Sequence, residues 1–143
     1  MIIAVGTDII RIERVLASLE RQGDRFLNRI LTPEEREQLG NRVNIAPFVA
    51  KRFAAKEAVA KALGTGIGQG VSWQDITVSN DEHGAPFVRL SGAAELRSQR
   101  LGASACHISL SDEKEFALAF AVLEGTGSEA TAQSEVDRKQ RNE

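Results

Sequence analysis

One glutamate and one lysine in this sequence have types and a spacing that could do chemistry. Glu57 and Lys61 lie four residues apart in a segment with helical periodicity, so both side chains leave one face of a helix, one turn from each other. A carboxylate and an ammonium held in this way can bind a metal ion and neutralise a phosphate. The same order, glutamate before lysine, is also that of an ordinary surface ion pair worth only about 0.2–0.5 kcal/mol. Spacing alone leaves both interpretations open.

Asp8 is the second candidate for a metal-binding carboxylate. It follows the apolar run 2–5, which predicts a buried strand, and it precedes a helix predicted over residues 9–20. An aspartate in that position either caps the helix or binds a ligand at the end of the strand. Asp8 and Glu57 together would supply two hard oxygen ligands. That is a typical protein share for Mg²⁺, because this ion keeps waters and takes further ligands from substrate phosphates.

The glycine-rich stretch 64–70 invites comparison with a phosphate-binding loop, but its surroundings differ. A P-loop follows a strand, ends in Gly-Lys-Ser or Gly-Lys-Thr and opens a helix, whereas this stretch follows the end of a predicted helix. Gly64 is therefore interpreted first as a helix stop. The loop can still wrap a ligand, provided that lysine and arginine side chains supply the affinity for anions.

Cys106 and His107 are adjacent in a strand predicted over residues 105–110. Neighbouring strand residues point to opposite faces, so these two side chains are not expected to form a nucleophile–base dyad. Cys106 is interpreted as a packed thiol. His107 is either a hydrogen-bonded core residue or a site residue.

A group of arginines lies away from the apolar stripe of the first predicted helix, at Arg11, Arg14 and Arg21. Such a face is either solvated or a docking surface for an acidic partner, where complementary charge sets the rate and the register of encounter. The sequence favours neither interpretation.

The chain is predicted to fold as one α+β domain in which a small antiparallel sheet packs with helices, including one long central helix. The predicted strands cover residues 2–5, 73–79, 86–90, 105–110 and 115–123. The predicted helices cover residues 9–20, 32–40, 47–63 and 93–100, with a further helix beginning after an Asp24 N-cap. The start at Thr32 is the best marked, since Glu35 completes a capping box around a proline.

The long helix is expected to sort its residues by environment. Phe53 and Leu63 can face a core, whereas Lys56, Glu57 and Lys61 are expected to lie away from it. Small side chains would let another group approach this helix closely; they are the alanines at 54, 55, 58, 60 and 62.

Composition narrows the class of protein. The chain has 143 residues and a formal net charge of −2, which suits one domain and argues against a general nucleic-acid binder. The sequence shows no secretory signal and no apolar run approaching the roughly 20 residues of a membrane span. One cysteine and two histidines make a structural zinc site unexpected, and the single cysteine is typical of a cytoplasmic protein. Residues 124–143 are polar and are predicted to form a disordered tail.

Taken together, residues 1–123 resemble the holo-acyl-carrier-protein synthase family, the small bacterial class of 4′-phosphopantetheinyl transferases. The first matching motif is Gly-Thr-Asp-Ile at residues 6–9, and the most informative one is Arg-Phe-Ala-Ala-Lys-Glu-Ala at residues 52–58. The other matching segments follow in order at residues 25–32, 61–66, 73–76, 84–86 and 107–112. Each motif alone is weak, but their order across one domain makes the resemblance specific.

The resemblance implies a reaction and a place for each site residue. The 4′-phosphopantetheine arm of coenzyme A would be moved onto a serine of apo acyl carrier protein in fatty acid biosynthesis, releasing adenosine 3′,5′-bisphosphate. Asp8 and Glu57 would hold Mg²⁺, and Lys61 would neutralise or protonate the departing phosphate. Glu57 or a metal-bound water would accept the serine proton.

The resemblance also implies contacts for the rest of the substrate and for protein partners. The residues that would contact coenzyme A are Arg52, His107, Gly64, Thr65 and Gly66. Arg14 and Arg21 would meet an acidic helix of the carrier protein. Similar proteins are homotrimers with sites between subunits, so a homotrimer is expected.

Two other classes of function remain at this stage. A coenzyme A or nucleotide-binding module without transfer activity would need the coenzyme A contacts but not the carboxylate pair. A plain α+β interaction domain would need neither. Mg²⁺ dependence distinguishes the transferase from the binding module. Binding of coenzyme A distinguishes both of these from the interaction domain.

Overall fold

The structure, a computed structural model, describes residues 1–126 and is built around one long helix, α4 (Ala46–Ala62), which packs against a three-stranded antiparallel sheet. In that sheet β5 (Phe116–Gly125) lies between β1 (Ile2–Arg11) and β4 (Ala103–Asp112). A separate antiparallel pair is formed by β2 (Ile76–Asn80) and β3 (Pro86–Leu90). The predicted α+β class, with its small antiparallel sheet and long central helix, is confirmed.

The shorter helices surround this centre. They are α1 (Ile12–Gln22), α2 (Asp24–Ile30), α3 (Pro33–Leu39) and α5 (Gly92–Arg100). The predicted start of α3 is confirmed, because the Thr32 hydroxyl accepts from the Glu35 N–H and the Glu35 carboxylate accepts from the Thr32 N–H. Of the helices within residues 1–126, none has the length and apolar character needed to cross a membrane.

Small residues let α4 lie almost against the backbone of β1. A Cβ built on Gly6 would stand only 2.0 Å from the carbonyl oxygen of Ala58, so only glycine fits there. On the same side, three consecutive inward residues of β5 are buried alanines, at positions 117, 119 and 121. The alanines of α4 therefore allow the sheet to pack closely against the helix. This close packing sets the distance between residues of β1 and residues of α4.

Two helix starts differ from the prediction. The helix predicted over residues 9–20 begins at Ile12, because β1 stays paired with β5 as far as Arg11. Asp8 therefore lies within the strand, opposite Ala119, and the interpretation of Asp8 as a helix cap is wrong. The predicted Asp24 cap is also wrong, since Gly23 holds the N-cap position of α2 and no side chain caps that helix.

Several strand boundaries also differ, and β4, predicted over residues 105–110, is two residues longer at each end. Residues 73–75 form a 3₁₀ turn closed by Ser72 and Asp75, so β2 begins at Ile76 rather than at residue 73. β5 continues to Gly125, past the predicted end at residue 123. The rest of the predicted disordered tail, residues 127–143, lies outside the described residues.

Lys56 is fully buried, so the expectation that it lies away from the core is wrong. Its ammonium donates to the Glu35 carboxylate at 2.6 Å, to the Ile30 carbonyl at 2.6 Å and to the Trp73 carbonyl at 3.0 Å. The other carboxylate oxygen of Glu35 accepts from the Val78 N–H at 3.1 Å. Burial lowers the pKa of Lys56 and the Glu35 charge opposes that change. A fully satisfied ion pair thus joins α2, α3, α4 and β2.

Candidate active site

Asp8 and Lys61 meet where β1 passes the last turn of α4. Asp8 is on the face of the sheet that packs against the helix, with its backbone opposite the buried Ala119. The Lys61 ammonium lies 3.0 Å from Asp8 Oδ1 and 3.0 Å from the carbonyl oxygen of Thr7. The Asp8 side chain is 16% exposed and that of Lys61 is 50% exposed, so the pair is open to a ligand from solvent.

Glu57, one turn before Lys61 on α4, lies close enough to Asp8 for the two charges to interact. Burial raises the pKa of the Glu57 carboxyl, the charge of Asp8 raises that pKa further, and the charge of Lys61 lowers it. Two like charges in a partly buried place repel each other. A cation bound between the carboxylates would relieve that repulsion.

The two carboxylates fit Mg²⁺ better than a metal that needs a complete protein cage. Asp8 and Glu57 offer hard oxygens, and no group of three or more His, Cys, Asp or Glu side chains suited to a metal occurs within residues 1–126. Mg²⁺ commonly binds one or two protein carboxylates and completes its coordination with waters and phosphate oxygens. The residues predicted to form a metal pair therefore lie together, on facing elements.

The loop after α4 begins shortly after Lys61 in the chain and opens onto a cavity of about 440 Å³. The N–H groups of Thr65 and Gly66 donate to the carbonyl oxygen of Ala60, which ends the helix. Arg97 and Arg100 of α5 line the cavity together with Gly64 and Thr65. These two arginines were missed by the sequence analysis, although their spacing of three residues on one short helix was a signal for a basic face.

Arg52 is a buried cation with an unusual set of partners. Its guanidinium donates to Gln38 Oε1 at 3.2 Å and to Asn80 Oδ1 at 3.0 Å, and it stacks on the Phe48 ring at 4.1 Å. Within the described part of the chain its buried Nε makes no hydrogen bond. Burial lowers the pKa of Arg52, and Arg42, which stacks on the same Phe48 ring at 4.8 Å, lowers it as well. Two cations on one ring favour an anion nearby.

His107 lies on the outer face of the three-stranded sheet, so its interpretation as a core residue is wrong. Its backbone is opposite Val122, three positions along β5 from Ala119 and therefore on the other face. The side chain is 59% exposed, and Nε2 lies 2.7 Å from Glu124 Oε2. Cys106 points inward, where burial raises the pKa of its thiol to about 11, as suits a packed thiol.

Within one chain, Arg52 and His107 lie away from Asp8 and Lys61. Arg52 precedes Lys61 by nine residues, which is two and a half helical turns, so the two side chains leave opposite sides of α4. Asp8 faces the helix from the sheet, whereas His107 is on the opposite face of the same sheet. Within a single copy of the chain these four residues therefore do not converge on one place.

Arg14 and Arg21 are exposed on α1 and line a cavity of about 300 Å³. The remaining walls are largely apolar, with Ile10, Phe26 and Phe53 among them. The two predicted partner-binding arginines thus flank an apolar recess, an arrangement that suits a partner with acidic residues around an apolar one.

The comparisons with known proteins agree with one another. A model of the 4′-phosphopantetheinyl transferase superfamily matches residues 4–121. A holo-[acyl-carrier-protein] synthase from Shewanella amazonensis is 52% identical over 122 residues, which cover 85% of this chain and 98% of the relative.

Two solved structures give the same result. The holo-[acyl-carrier-protein] synthase of Neisseria meningitidis has a TM-score of 0.81 at 40% identity and covers 87% of this chain and 99% of its own. The enzyme of Bacillus anthracis in complex with CoA (3′,5′-ADP) has a TM-score of 0.75 at 41% identity and covers 88% and 99%. The chain therefore belongs to the holo-acyl-carrier-protein synthase family of the 4′-phosphopantetheinyl transferase superfamily.

Proposed function

We propose that this chain transfers the 4′-phosphopantetheine group of coenzyme A to a serine of apo acyl carrier protein and releases adenosine 3′,5′-bisphosphate. The observation that carries the proposal is the cluster of Asp8, Glu57 and Lys61, formed where β1 meets α4 in a chain of this family. We place the reaction in the cytoplasm and in fatty acid biosynthesis, and we assign it to residues 1–123.

The chemistry is phosphoryl transfer, in which positioning and neutralisation of charge do most of the work. The serine oxygen attacks the phosphorus that bears the pantetheine arm, and the bond from that phosphorus to the bridging oxygen of the pyrophosphate breaks. Asp8 and Glu57 would hold Mg²⁺, which supplies positive charge to the pyrophosphate. Lys61 neutralises the leaving phosphate. Glu57, or a water held by the metal, would accept the serine proton.

The far end of coenzyme A needs contacts that the same chain does not bring to Asp8. We propose that Arg52 and Arg42 neutralise its 3′-phosphate, and that His107 and the loop residues Gly64, Thr65 and Gly66 line the nucleotide cleft. Because Arg52 and His107 lie away from Asp8, the contacts of these two residues come from a neighbouring copy, whereas the loop follows Lys61 in the same copy as Asp8.

A homotrimer would supply that neighbour. The outer face of the three-stranded sheet carries exposed apolar side chains next to one another, at Val5, Ile9, Leu118 and Phe120. Such a patch marks an interface more often than a solvated surface. We propose that this face packs against the equivalent face of two further copies.

Apo acyl carrier protein would dock on α1. Arg14 and Arg21 attract an acidic helix, and the apolar recess between α1 and α2 accepts one of its apolar side chains. This docking would bring the acceptor serine towards Asp8, since β1 leads directly into α1.

Intact mass spectrometry of an apo acyl carrier protein tests the proposal. Incubated with this protein, coenzyme A and Mg²⁺, the carrier protein should gain about 340 Da, the mass of one phosphopantetheine, and EDTA should abolish the gain. Glu57→Gln should keep its fold and lose the metal-dependent transfer by at least about a hundredfold.

The matched control is Glu34→Gln, which removes an exposed carboxylate that pairs with Arg89 on the surface. That variant should transfer at the wild-type rate. Binding of coenzyme A without any gain of mass by several carrier proteins would contradict the proposal and favour a binding module.

A further inference from the structure

The Lys61 ammonium is hydrogen-bonded to a carboxylate oxygen of Asp8, a group that the proposed metal ion would bind. This ammonium donates to Asp8 Oδ1 and to the carbonyl oxygen of Thr7, both at 3.0 Å. Asp8 is the more enclosed partner of the ion pair and Lys61 is the half-exposed one. The movable group in this contact is therefore the lysine.

A fixed positive charge beside a cation site lowers the affinity of that site for any further cation. Asp8 has a single carboxylate, and one of its two oxygens is occupied by the ammonium. The positive charge of Lys61 also offsets the repulsion between the carboxylates of Asp8 and Glu57. The lysine thus makes the same electrostatic contribution to the acidic pair that a metal ion would make.

We propose that Lys61 is an internal competitor of the metal ion, which leaves Asp8 when the pyrophosphate of coenzyme A draws it away. The inference rests on the proposed function, because it takes Asp8 and Glu57 as the metal pair. Its consequence is that metal and coenzyme A bind cooperatively: each removes Lys61 from Asp8 and thereby favours the other. The coupling is reciprocal, so metal should tighten coenzyme A by the same factor.

The position of Lys61 suits such a movement. Its side chain has a long flexible stem, and both of its acceptors belong to β1 rather than to its own helix. It lies in the last turn of α4, where the helix dipole favours a cation, so the ammonium stays near the site after it leaves Asp8. The loop that would line the nucleotide cleft begins only three residues further on, at Gly64.

Titration with Mn²⁺, followed by the electron paramagnetic resonance signal of the free ion, measures this competition without any catalysis. Lys61→Gln should bind Mn²⁺ about five- to tenfold more tightly than the wild type, whereas Lys61→Arg, which keeps the charge, should stay within about twofold. Lys51→Gln is the matched control, since it removes a lysine of the same helix that pairs with Asp112 at 3.5 Å. Its Mn²⁺ affinity should equal that of the wild type.

A second titration in the presence of coenzyme A measures the coupling. Coenzyme A should tighten Mn²⁺ binding to the wild type by a larger factor than to Lys61→Gln. Equal Mn²⁺ affinities of the wild type and Lys61→Gln would overturn this inference but would leave the assignment of Asp8 and Glu57 as the metal pair intact. Absence of Mn²⁺ binding in both proteins, with and without coenzyme A, would overturn the metal pair and this inference together. Circular dichroism of each variant confirms that a change in affinity comes from a folded chain.

Discussion

Lys56 and Glu57 are adjacent in α4, yet their charges have opposite surroundings. Successive residues of a helix are about 100° apart around its axis, so one side chain points towards α3 and the other towards β1. Every N–H of the Lys56 ammonium has an acceptor inside the protein. Glu57 is only partly buried and meets Asp8 and Lys61. The first charge joins secondary-structure elements, and the second is available for a ligand.

Replacing Lys56 by methionine should therefore change stability rather than chemistry. The variant leaves the Glu35 carboxylate buried without its counter-ion, and breaking a buried pair in this way costs about 3–5 kcal/mol. Urea denaturation measures the loss. Lys51→Met, on the same helix but with an exposed partner, should lose at most about 1 kcal/mol. Equal losses in the two variants would contradict the assigned role of the buried pair.

At the scale of elements, the sequence predicted those features whose signals are local. The start of α3 followed from Thr32 and Glu35, three residues apart, and the structure has that capping box. The length of β1 depends on pairing with β5, more than a hundred positions away, so the motif around Asp8 was interpreted as the start of a helix. The environment of Lys56 depends on Glu35, which lies 21 residues earlier and can neutralise it only after α3 has docked.

The packing of α4 against β1 depends on Gly6, and this contact should be sensitive to a single methyl group. In Gly6→Ala the new Cβ meets backbone atoms of α4, which cannot rotate away. We expect a loss of stability at or beyond the upper end of the about 1–3 kcal/mol of ordinary overpacking. Displacement of the helix should also separate Asp8 from Glu57 and weaken Mn²⁺ binding.

The control for this variant is Gly84→Ala, whose backbone has a φ of +81° but whose new Cβ has nothing within 4 Å. It should lose about 1–2 kcal/mol from backbone strain alone and bind Mn²⁺ as the wild type does. Thermal or urea unfolding together with the Mn²⁺ titration checks both expectations. A Gly6→Ala protein with wild-type stability and Mn²⁺ affinity would show that the close contact does not position the site.

At the scale of the whole molecule, the residue patterns in the sequence did not predict where the candidate site residues lie relative to one another in one copy. Sequence motifs identified Arg52 and His107 as well as Asp8, but only the structure shows that they lie on different sides of α4 and of the sheet. The exposed apolar residues of β1 and β5 lie on the same face of the sheet as His107. Association through that face would put His107 close to another copy, as the proposed shared site requires.

Complementation between two inactive variants tests the shared site most directly. Glu57→Gln lacks a proposed metal ligand, and a double variant, Arg42→Ser with His107→Ala, lacks two exposed residues proposed to contact the nucleotide but keeps the buried Arg52. Each protein alone should form holo acyl carrier protein far more slowly than the wild type. Co-expressed in equal amounts, they should recover about one quarter of the wild-type rate, because one in four interfaces of randomly mixed rings joins the two intact halves. A mixture no faster than the average of its two components would contradict a site built from two chains.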